Sequence, residues 1–384
     1  GLTGEYRDQF RLGTNILSHR GPDDQGYYVD QQILLGHRRL SIIDLHSGQQ
    51  PIFNEDRTKC IIFNGEIYNY RELREELISR NHLFSTNSDT EVIIHAFEEY
   101  GDSCVNKLRG MFTFAIWDSK ERRLFIARDR LGIKPLFYAW KSDAFYFASE
   151  MKAILQFSDF PRRMDQDALA AYFTLAYIPA PLTIFKDIRK LPPGHTLTVK
   201  DGHVTINQYW DLSFEPDHGK DERYFCRRIV ELLEESIRYR MISDVPLGAF
   251  LSGGIDSGAV VAMMSRLSDE PVNTFCIGFG GEVGGYLDER RYAQEIATRY
   301  RTKHREYVVK PSVKEILGEI VQSFDEPFGD PSTIPSYYVS KITRERVKVA
   351  LSGLGGDELF GGYERYLGFS LSRTYNLLPL FQIG

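Results

Sequence analysis

Long apolar runs are missing from this 384-residue chain. Nothing approaches the roughly 20 residues needed to cross a bilayer, and no secretory signal shows at the start. The net charge of −6 comes without any basic block, which argues against nucleic acid as a partner. Its four cysteines, Cys60, Cys104, Cys226 and Cys276, are scattered without metal-ligand spacing. They read as reduced, mostly buried thiols of a cytoplasmic protein rather than as a zinc site or a disulfide framework. An initiator methionine is also missing: the chain opens Gly1-Leu2-Thr3-Gly4 and stops at Gly384 shortly after an aromatic-rich segment. We expect a fragment or a processed chain.

What is present is ample material for cores, 42% hydrophobic residues with 26% charged. The length exceeds one ordinary core, so two domains are expected. Short alternating or apolar runs mark the first half as β-rich: 32–37, 60–64, 111–117, 123–128, 135–139 and 144–148. Helical periodicity interrupts them at 70–79 and 90–100. That pattern predicts an α+β arrangement of two stacked sheets flanked by helices over residues 1–210. The polar stretch 211–221, with Pro216 and Gly219, reads as a linker. From 222 to 384 helix and strand alternate: helices at 224–241, 258–267, 288–300, 314–324 and 336–345, strands at 245–251, 272–279, 304–309 and 347–351. This rhythm predicts an α/β doubly wound parallel sheet with ligands at the strand carboxyl ends.

At one such end stands Ser252-Gly253-Gly254-Ile255-Asp256-Ser257. Small residues let the backbone approach a ligand, and free N–H groups at a helix start attract an anion. The Gly-Lys-Ser/Thr ending of the commoner nucleotide loop is absent, so no lysine reaches a terminal phosphate. Asp256 inside the cradle makes sense only with a cation between it and the phosphates. A bare strand-to-helix turn is the bland alternative. Ser352-Gly353-Leu354-Gly355-Gly356-Asp357-Glu358 repeats the logic, and Asp256 and Asp357 together can supply oxygens to magnesium. Taken alone, Asp357 and Glu358 read equally well as ordinary helix N-terminal charge.

In the first half the charged clusters lie at 19–23, 37–44, 63–69 and 87–91. Arginine suits bidentate grip of a carboxylate. Asn64-Gly65 offers donors to an oxyanion, and Asp89 offers a partner to an ammonium. Two plainer readings stay open: an Asn-Gly hairpin turn at 64–65, and a capping box from Ser88 to Glu91. No nucleophile accompanies the set.

These runs, with Arg128-Asp129-Arg130-Leu131-Gly132-Ile133-Lys134-Pro135-Leu136, closely resemble a class II glutamine amidotransferase domain. Leu191-Pro192-Pro193-Gly194-His195 and the two glycine loops resemble the synthetase domain of the glutamine-hydrolysing asparagine synthetase family, and the likeness runs the length of the chain in the family's order. The resemblance implies an N-terminal-nucleophile αββα sandwich that hydrolyses glutamine, then an ATP-pyrophosphatase domain that converts aspartate to acyl-AMP, with ammonia passing between them. It implies that Arg39 grips the glutamine carboxylate, Asn64 and Gly65 form the oxyanion hole, and Asp89 binds the α-amino group. It further assigns Ser252, Gly253, Gly254 and Ser257 to pyrophosphate, Asp256 and Asp357 to Mg2+, and Leu251, Ile277, Ser352 and Gly353 to the adenylate. The implied partners are glutamine, aspartate and ATP, with neither nucleic acid nor membrane, and the resemblance allows a homodimer.

Three departures accompany it. The family's nucleophilic cysteine should stand immediately before Gly1, so this chain is expected to bind glutamine without hydrolysing it. Leu354 stands where some members carry a glutamate. A catalytic lysine region and later helices are expected beyond Gly384. Two rival readings follow: a related amide-forming enzyme with another carboxylate acceptor, and a non-catalytic glutamine- or nucleotide-binding regulator.

Overall fold

The period-2 runs of the first half become strands whose two faces feed different cores. A computed structural model describes residues 4–141, 143–280, 289–309 and 312–376. It divides into two units. The first runs to Lys220 and takes in Ile242–Asp244 and Val313–Thr333; the second holds Asp221–Met241, Val245–Ser312 and the chain from Ile334 onward.

The first unit contains strands β1 (Asp24–Val29), β2 (Leu34–Arg39), β3 (Ile52–Phe53), β4 (Lys59–Ile67), β5 (Gly110–Asp118), β6 (Arg123–Arg128), β7 (Phe137–Lys141), β8 (Ala144–Ala148), β9 (Arg189–Lys190), β10 (His195–Lys200) and β11 (His203–Gln208). Its helices are α1 (Gly4–Asn15), α2 (Tyr70–Ser79), α3 (Asp89–Tyr100), α4 (Met151–Ile154) and α5 (Gln166–Leu175). Six antiparallel strands form one sheet in the order β11-β10-β6-β5-β4-β3, while β8-β7-β9 and β1-β2 form smaller ones. Side chains alternate across the large sheet. Ile61, Phe63, Phe112, Phe114, Ile116 and Phe125 meet Leu73, Leu77, Val92, Ile93 and Phe97 of α2 and α3. Cys60, Ala115, Trp117, Leu124 and Ile126 point the other way, toward Leu35, Tyr138 and Phe145 of the small sheets. Beyond these, Ala139 and Tyr146 pack with Met151, Ile154 and Ala168 of α4 and α5. The layers are therefore helix, sheet, sheet, helix, the predicted sandwich. Phe114 is fully buried between the rings of Phe112 and Phe125. Truncating such a residue to alanine costs about 3–5 kcal/mol, so Phe114, like Phe112 and Phe125, is one on which the first interface depends.

The second unit carries four parallel strands, β12 (Leu247–Phe250), β13 (Asn273–Phe279), β14 (Lys303–Val309) and β15 (Val349–Leu351), in the order β14-β13-β12-β15. Helices α6 (Glu222–Arg240), α7 (Ile255–Leu267) and α8 (Arg290–Arg299) cover the sheet. Ile237, Val260, Val261, Met264, Ala293 and Ala297 pack with Ala249, Leu251 and Cys276. Strand order reverses at β12, with β13 on one side and β15 on the other, which opens the crevice where such folds bind ligands. No described helix is long and apolar enough to cross a membrane.

Several elements differ from expectation. Helices α1, α4 and α5 were not predicted; α4 is only four residues long. Helix α6 begins at Glu222 because Asp221 caps it, accepting from the Tyr224 N–H at 2.8 Å. The helix expected over 288–300 is described from Arg290, residue 288 lying outside the described residues. Helix α7 begins at Ile255, three residues early, so Asp256 and Ser257 belong to its first turn rather than to the preceding loop. The helix expected over 314–324, α9 (Val313–Ser323), folds with the first unit rather than the second. The residues that follow it hold it there: Asp325 accepts from the Lys152 backbone N–H at 3.0 Å, Glu326 pairs with Lys190, and the Gly329 N–H donates to the Ala176 carbonyl at 2.8 Å. Helix α10 (Thr333–Thr343) starts ahead of the predicted 336, because Pro335 falls in its first turn, where no N–H is needed.

Candidate functional site

In the first unit a cavity of about 1120 Å³ is lined by Arg39, Asn64, Gly65 and Asp89 together, with Arg20, His37, Gln50, Glu66, Thr90 and Lys134. Arg39, at the end of β2, is buried; its Nη2 donates to the carbonyls of Ile43 at 3.0 Å and Asp44 at 2.7 Å. These bonds fix the guanidinium in the wall of the cavity. Gly48 makes the packing possible, since a Cβ there would lie 2.4 Å from Arg39 Nη2.

Asn64 and Gly65 lie within β4, paired with Thr113 and Phe112 of β5. The hairpin-turn reading of 64–65 is thereby overturned. A Cβ on Gly65 would sit 2.1 Å from the Met111 carbonyl oxygen, so the strand pair itself demands glycine. Asn64 Nδ2 reaches Ser149 Oγ at 3.4 Å.

Asp89 opens α3 and accepts from the Ile67 N–H at 2.9 Å, tying the end of β4 to the start of the helix. Ser88 caps this helix, accepting from the Thr90 N–H at 3.2 Å. Glu91 does not close the expected box: its carboxylate instead accepts from the backbone N–H groups of Ser85 and Thr86, both at 2.7 Å. Gln50 bridges the two sides, accepting from the Phe63 N–H at 2.7 Å and donating to Thr90 Oγ1 at 3.3 Å.

Electrostatics here follow burial. Burial lifts the Asp89 carboxyl to about 6, against four hydrogen bonds that hold it down, so it is ionised at neutral pH but without surplus stabilisation. An arriving ammonium would supply what is missing. Burial lowers His37 to about 4, with Arg39 adding to the effect. His37 donates from Nε2 to the Phe63 carbonyl at 2.9 Å, is neutral, and holds an unpaired Nδ1. Burial also lowers Lys134, beside Arg20 and Glu66. Among the described residues no cysteine lines the cavity, and burial pushes the Cys60 thiol up to about 12 and raises Cys104 as well. The 128–136 motif proves to be architectural: buried Asp129 accepts from the N–H groups of Phe112, Leu131, Ile133 and Lys134. Gln50 and Gly48 had no signal in the sequence, because neither belongs to a motif.

In the second unit both glycine loops lie at the carboxyl ends of adjacent strands, 252–257 after β12 and 352–358 after β15. Leu251 is buried, Ile277 lies on β13, and Ser352 and Gly353 follow β15 directly. The Ser252 and Ser257 hydroxyls are 3.0 Å apart, and the N–H groups of Ser252 and Gly254 reach them over 3.2 and 3.3 Å. Bonds of that length are readily exchanged for a phosphate oxygen. Gly253 has φ +92°, and a Cβ there would strike Tyr292 Cβ of α8 at 2.7 Å. The loops press on one another through Asp256: a Cβ on Gly353 would lie 2.8 Å from Asp256 Cβ, and one on Gly356 2.3 Å from its carboxylate. Asp357 sits in the first turn of the five-residue helix α11 (Gly356–Phe360), its Oδ1 against Gly362. Serine hydroxyls, bare backbone and a carboxylate, without lysine, are a donor set suited to a polyphosphate carrying a hard cation.

Comparison with known proteins agrees with both halves. The glutamine amidotransferase domain family matches residues 3–210 and the asparagine synthase family matches 228–380. Glutamine-hydrolyzing asparagine synthetase 1 of Bacillus subtilis (strain 168) is 40% identical over 366 residues, which is 95% of this chain and 57% of that protein. A protein of Methanocaldococcus jannaschii with the provisional name glutamine-hydrolyzing asparagine synthetase 2 is 39% identical over 98% of this chain and 76% of its own length. The glutamine-hydrolyzing asparagine synthetase of Zea mays is 34% identical over 90% of this chain and 56% of its own. The chain thus spans a little over half the length of the Bacillus subtilis and Zea mays relatives.

Proposed function

The chain belongs to the family of glutamine-hydrolysing asparagine synthetases, and from that premise we propose that the whole protein is a cytoplasmic ligase that makes asparagine from aspartate, ATP and glutamine. Residues 1–210 would act as the glutaminase and 222–384 as the ATP-binding part of the synthetase, joined by 211–221. The reading rests above all on Asp256, a carboxylate set inside a lysineless phosphate loop and closely packed by a second glycine loop.

In the first unit Arg39 grips the glutamine carboxylate and Asp89 its ammonium. A cysteine ahead of Gly1 attacks the side-chain amide, and Asn64 and the Gly65 N–H hold the oxyanion. Collapse of that intermediate expels ammonia and leaves a thioester, and its hydrolysis gives glutamate and frees the cysteine. In the second unit the serines and glycines of 252–257 hold the β- and γ-phosphates, near Leu251, Ile277, Ser352 and Gly353 at the adenylate. The aspartate carboxylate attacks the α-phosphorus, pyrophosphate leaves as one unit, and ammonia displaces AMP from the acyl carbon. Magnesium, held by Asp256 and Asp357, would offset the charge on the leaving pyrophosphate.

One observation favours a second reading. Leu354, at the tip of the second loop, is 90% exposed and offers no acid, base or charge where the resemblance places a glutamate in some members of the family. A different carboxylate acceptor on the same adenylating machinery fits that change. To test both, the full-length protein with the cysteine before Gly1 is incubated with glutamine, ATP, Mg2+ and aspartate while glutamate, pyrophosphate and asparagine are followed. Aspartate-dependent pyrophosphate release with asparagine is expected, and Asp256→Asn abolishes it. Pyrophosphate release indifferent to aspartate would favour the second reading, and no glutamate release would sink the glutaminase assignment.

A further inference from the structure

Away from the glutamine cavity, four side chains of the first unit converge. Glu55 comes from the turn after β3, His82 from the turn after α2, and His95 and Glu98 from one face of α3. One ligand atom from each lies within 4.8 Å of the others. His95 Nδ1 stands 3.0 Å from Glu98 Oε2 and 3.7 Å from Glu55 Oε2. His82 Nδ1 stands 3.8 Å from Glu98 Oε2 and 4.0 Å from Glu55 Oε1. Tetrahedral zinc, with bonds of about 2.0–2.2 Å, sets its ligands roughly 3.3–3.5 Å apart, so side-chain shifts of up to about an ångström bring these four onto it.

We propose that Glu55, His82, His95 and Glu98 form a structural zinc site that clamps α3 to the β3–β4 turn and to the turn after α2.

The rings argue for a metal over a plain cluster of charges. Both histidines present Nδ1 to the centre and turn Nε2 toward a different carboxylate, His82 to Glu99 at 3.4 Å and His95 to Glu91 at 3.7 Å. An outer carboxylate behind each ligating imidazole is the arrangement that fixes its tautomer and raises its basicity. His95 is fully buried; its Nδ1 is held by Glu98, and its Nε2, 3.7 Å from Glu91, stands beyond hydrogen-bond reach. The first-sphere carboxylates are pre-set too. Asn54 Nδ2 donates to Glu98 Oε1 at 2.7 Å, leaving Oε2 to the centre, and the Phe84 ring packs edge-on against His95 at 4.6 Å. Glu55, Glu91, Glu98 and Glu99 surround the two rings, with Arg80 paired to Glu99 and with Lys59 and Lys120 near Glu98. Two imidazole nitrogens select a first-row transition ion over calcium or magnesium, and exposed Glu55 leaves a way in from solvent.

The test uses the whole protein, stripped with chelator and dialysed against Zn2+ or Co2+. About one zinc per chain by elemental analysis is expected, with intense visible d–d bands from Co2+ in a tetrahedral field and a melting temperature that rises with added Zn2+. His82→Gln and Glu55→Gln, both at the solvent side and away from the core, should each weaken zinc binding at least tenfold. His203→Gln, an exposed histidine on β11, should leave it unchanged. Less than a tenth of an equivalent of zinc, or equal retention in His82→Gln and Glu55→Gln, overturns the site.

Discussion

Asp89, in the role proposed for it, trades stability for binding. Its carboxyl titrates near 3.8 when unfolded and about 6 when folded. Between those values the folded chain keeps a proton that the unfolded chain has lost. Stability therefore falls as pH rises through this window and stays lowered above it. Asp89→Asn should remove that cost and stabilise the protein by about 2–3 kcal/mol at pH 7.5, an upper bound at 1.36 kcal/mol per unit, while abolishing glutamine binding. Urea unfolding at pH 4 and pH 7.5 checks the first expectation, and calorimetric titration with glutamine the second. The role proposed for Asp89 comes from its neighbours in the sequence, but its burial does not, because nothing in Asn87-Ser88-Asp89-Thr90-Glu91 tells that β4 would end against it. The same holds for Gly65, whose motif suggested an oxyanion donor, while its sheet contact emerges only from the β4–β5 register. His82 and His95 stand thirteen residues apart in chain order, with no spacing that announces a shared centre.

At the scale of elements, strands were legible because their two faces bury different cores, and α2 and α3 because each has an apolar stripe. Helix α1 was not, since only Gly13 and Thr14 of it are buried and only Tyr6, Phe10 and Leu12 of its twelve residues are large and apolar. The start of α7 was missed because Gly254 provides the N-cap and the loop residues after it are already helical. Two glycine substitutions test the elements in opposite directions. Gly65→Ala forces β4 and β5 apart and should cost about 3 kcal/mol, the upper end for an overpacked site, with loss of any glutaminase activity. Gly318→Ala, inside α9 with nothing near the new methyl, should gain about 0.5–1 kcal/mol. Urea midpoints at unchanged m-value report both.

Over the whole molecule, the alternation of helix and strand revealed the second fold but assigned α9 to it, because periodicity says which face of a helix is apolar and not what covers that face. Charge decides the matter here. Lys152 and Lys190 receive Asp325 and Glu326, and burial raises the Glu326 carboxyl even with Lys190 beside it. Lys190→Met leaves that carboxyl without its cation, so about 2–3 kcal/mol of the first unit's stability should go, somewhat below the figure for a fully buried pair. The loss should grow from pH 5 to pH 8, as Glu326 is forced to ionise, and thermal melts across that range will show it. The chain changes unit after Lys220, Met241, Asp244, Ser312 and Thr333. Two bodies sewn with one thread cannot be traded between genes by a single crossover. A recombinant that replaces everything after the linker also replaces the helix that completes the front half's product, so positions 152 and 190 should be inherited in step with 325 and 326.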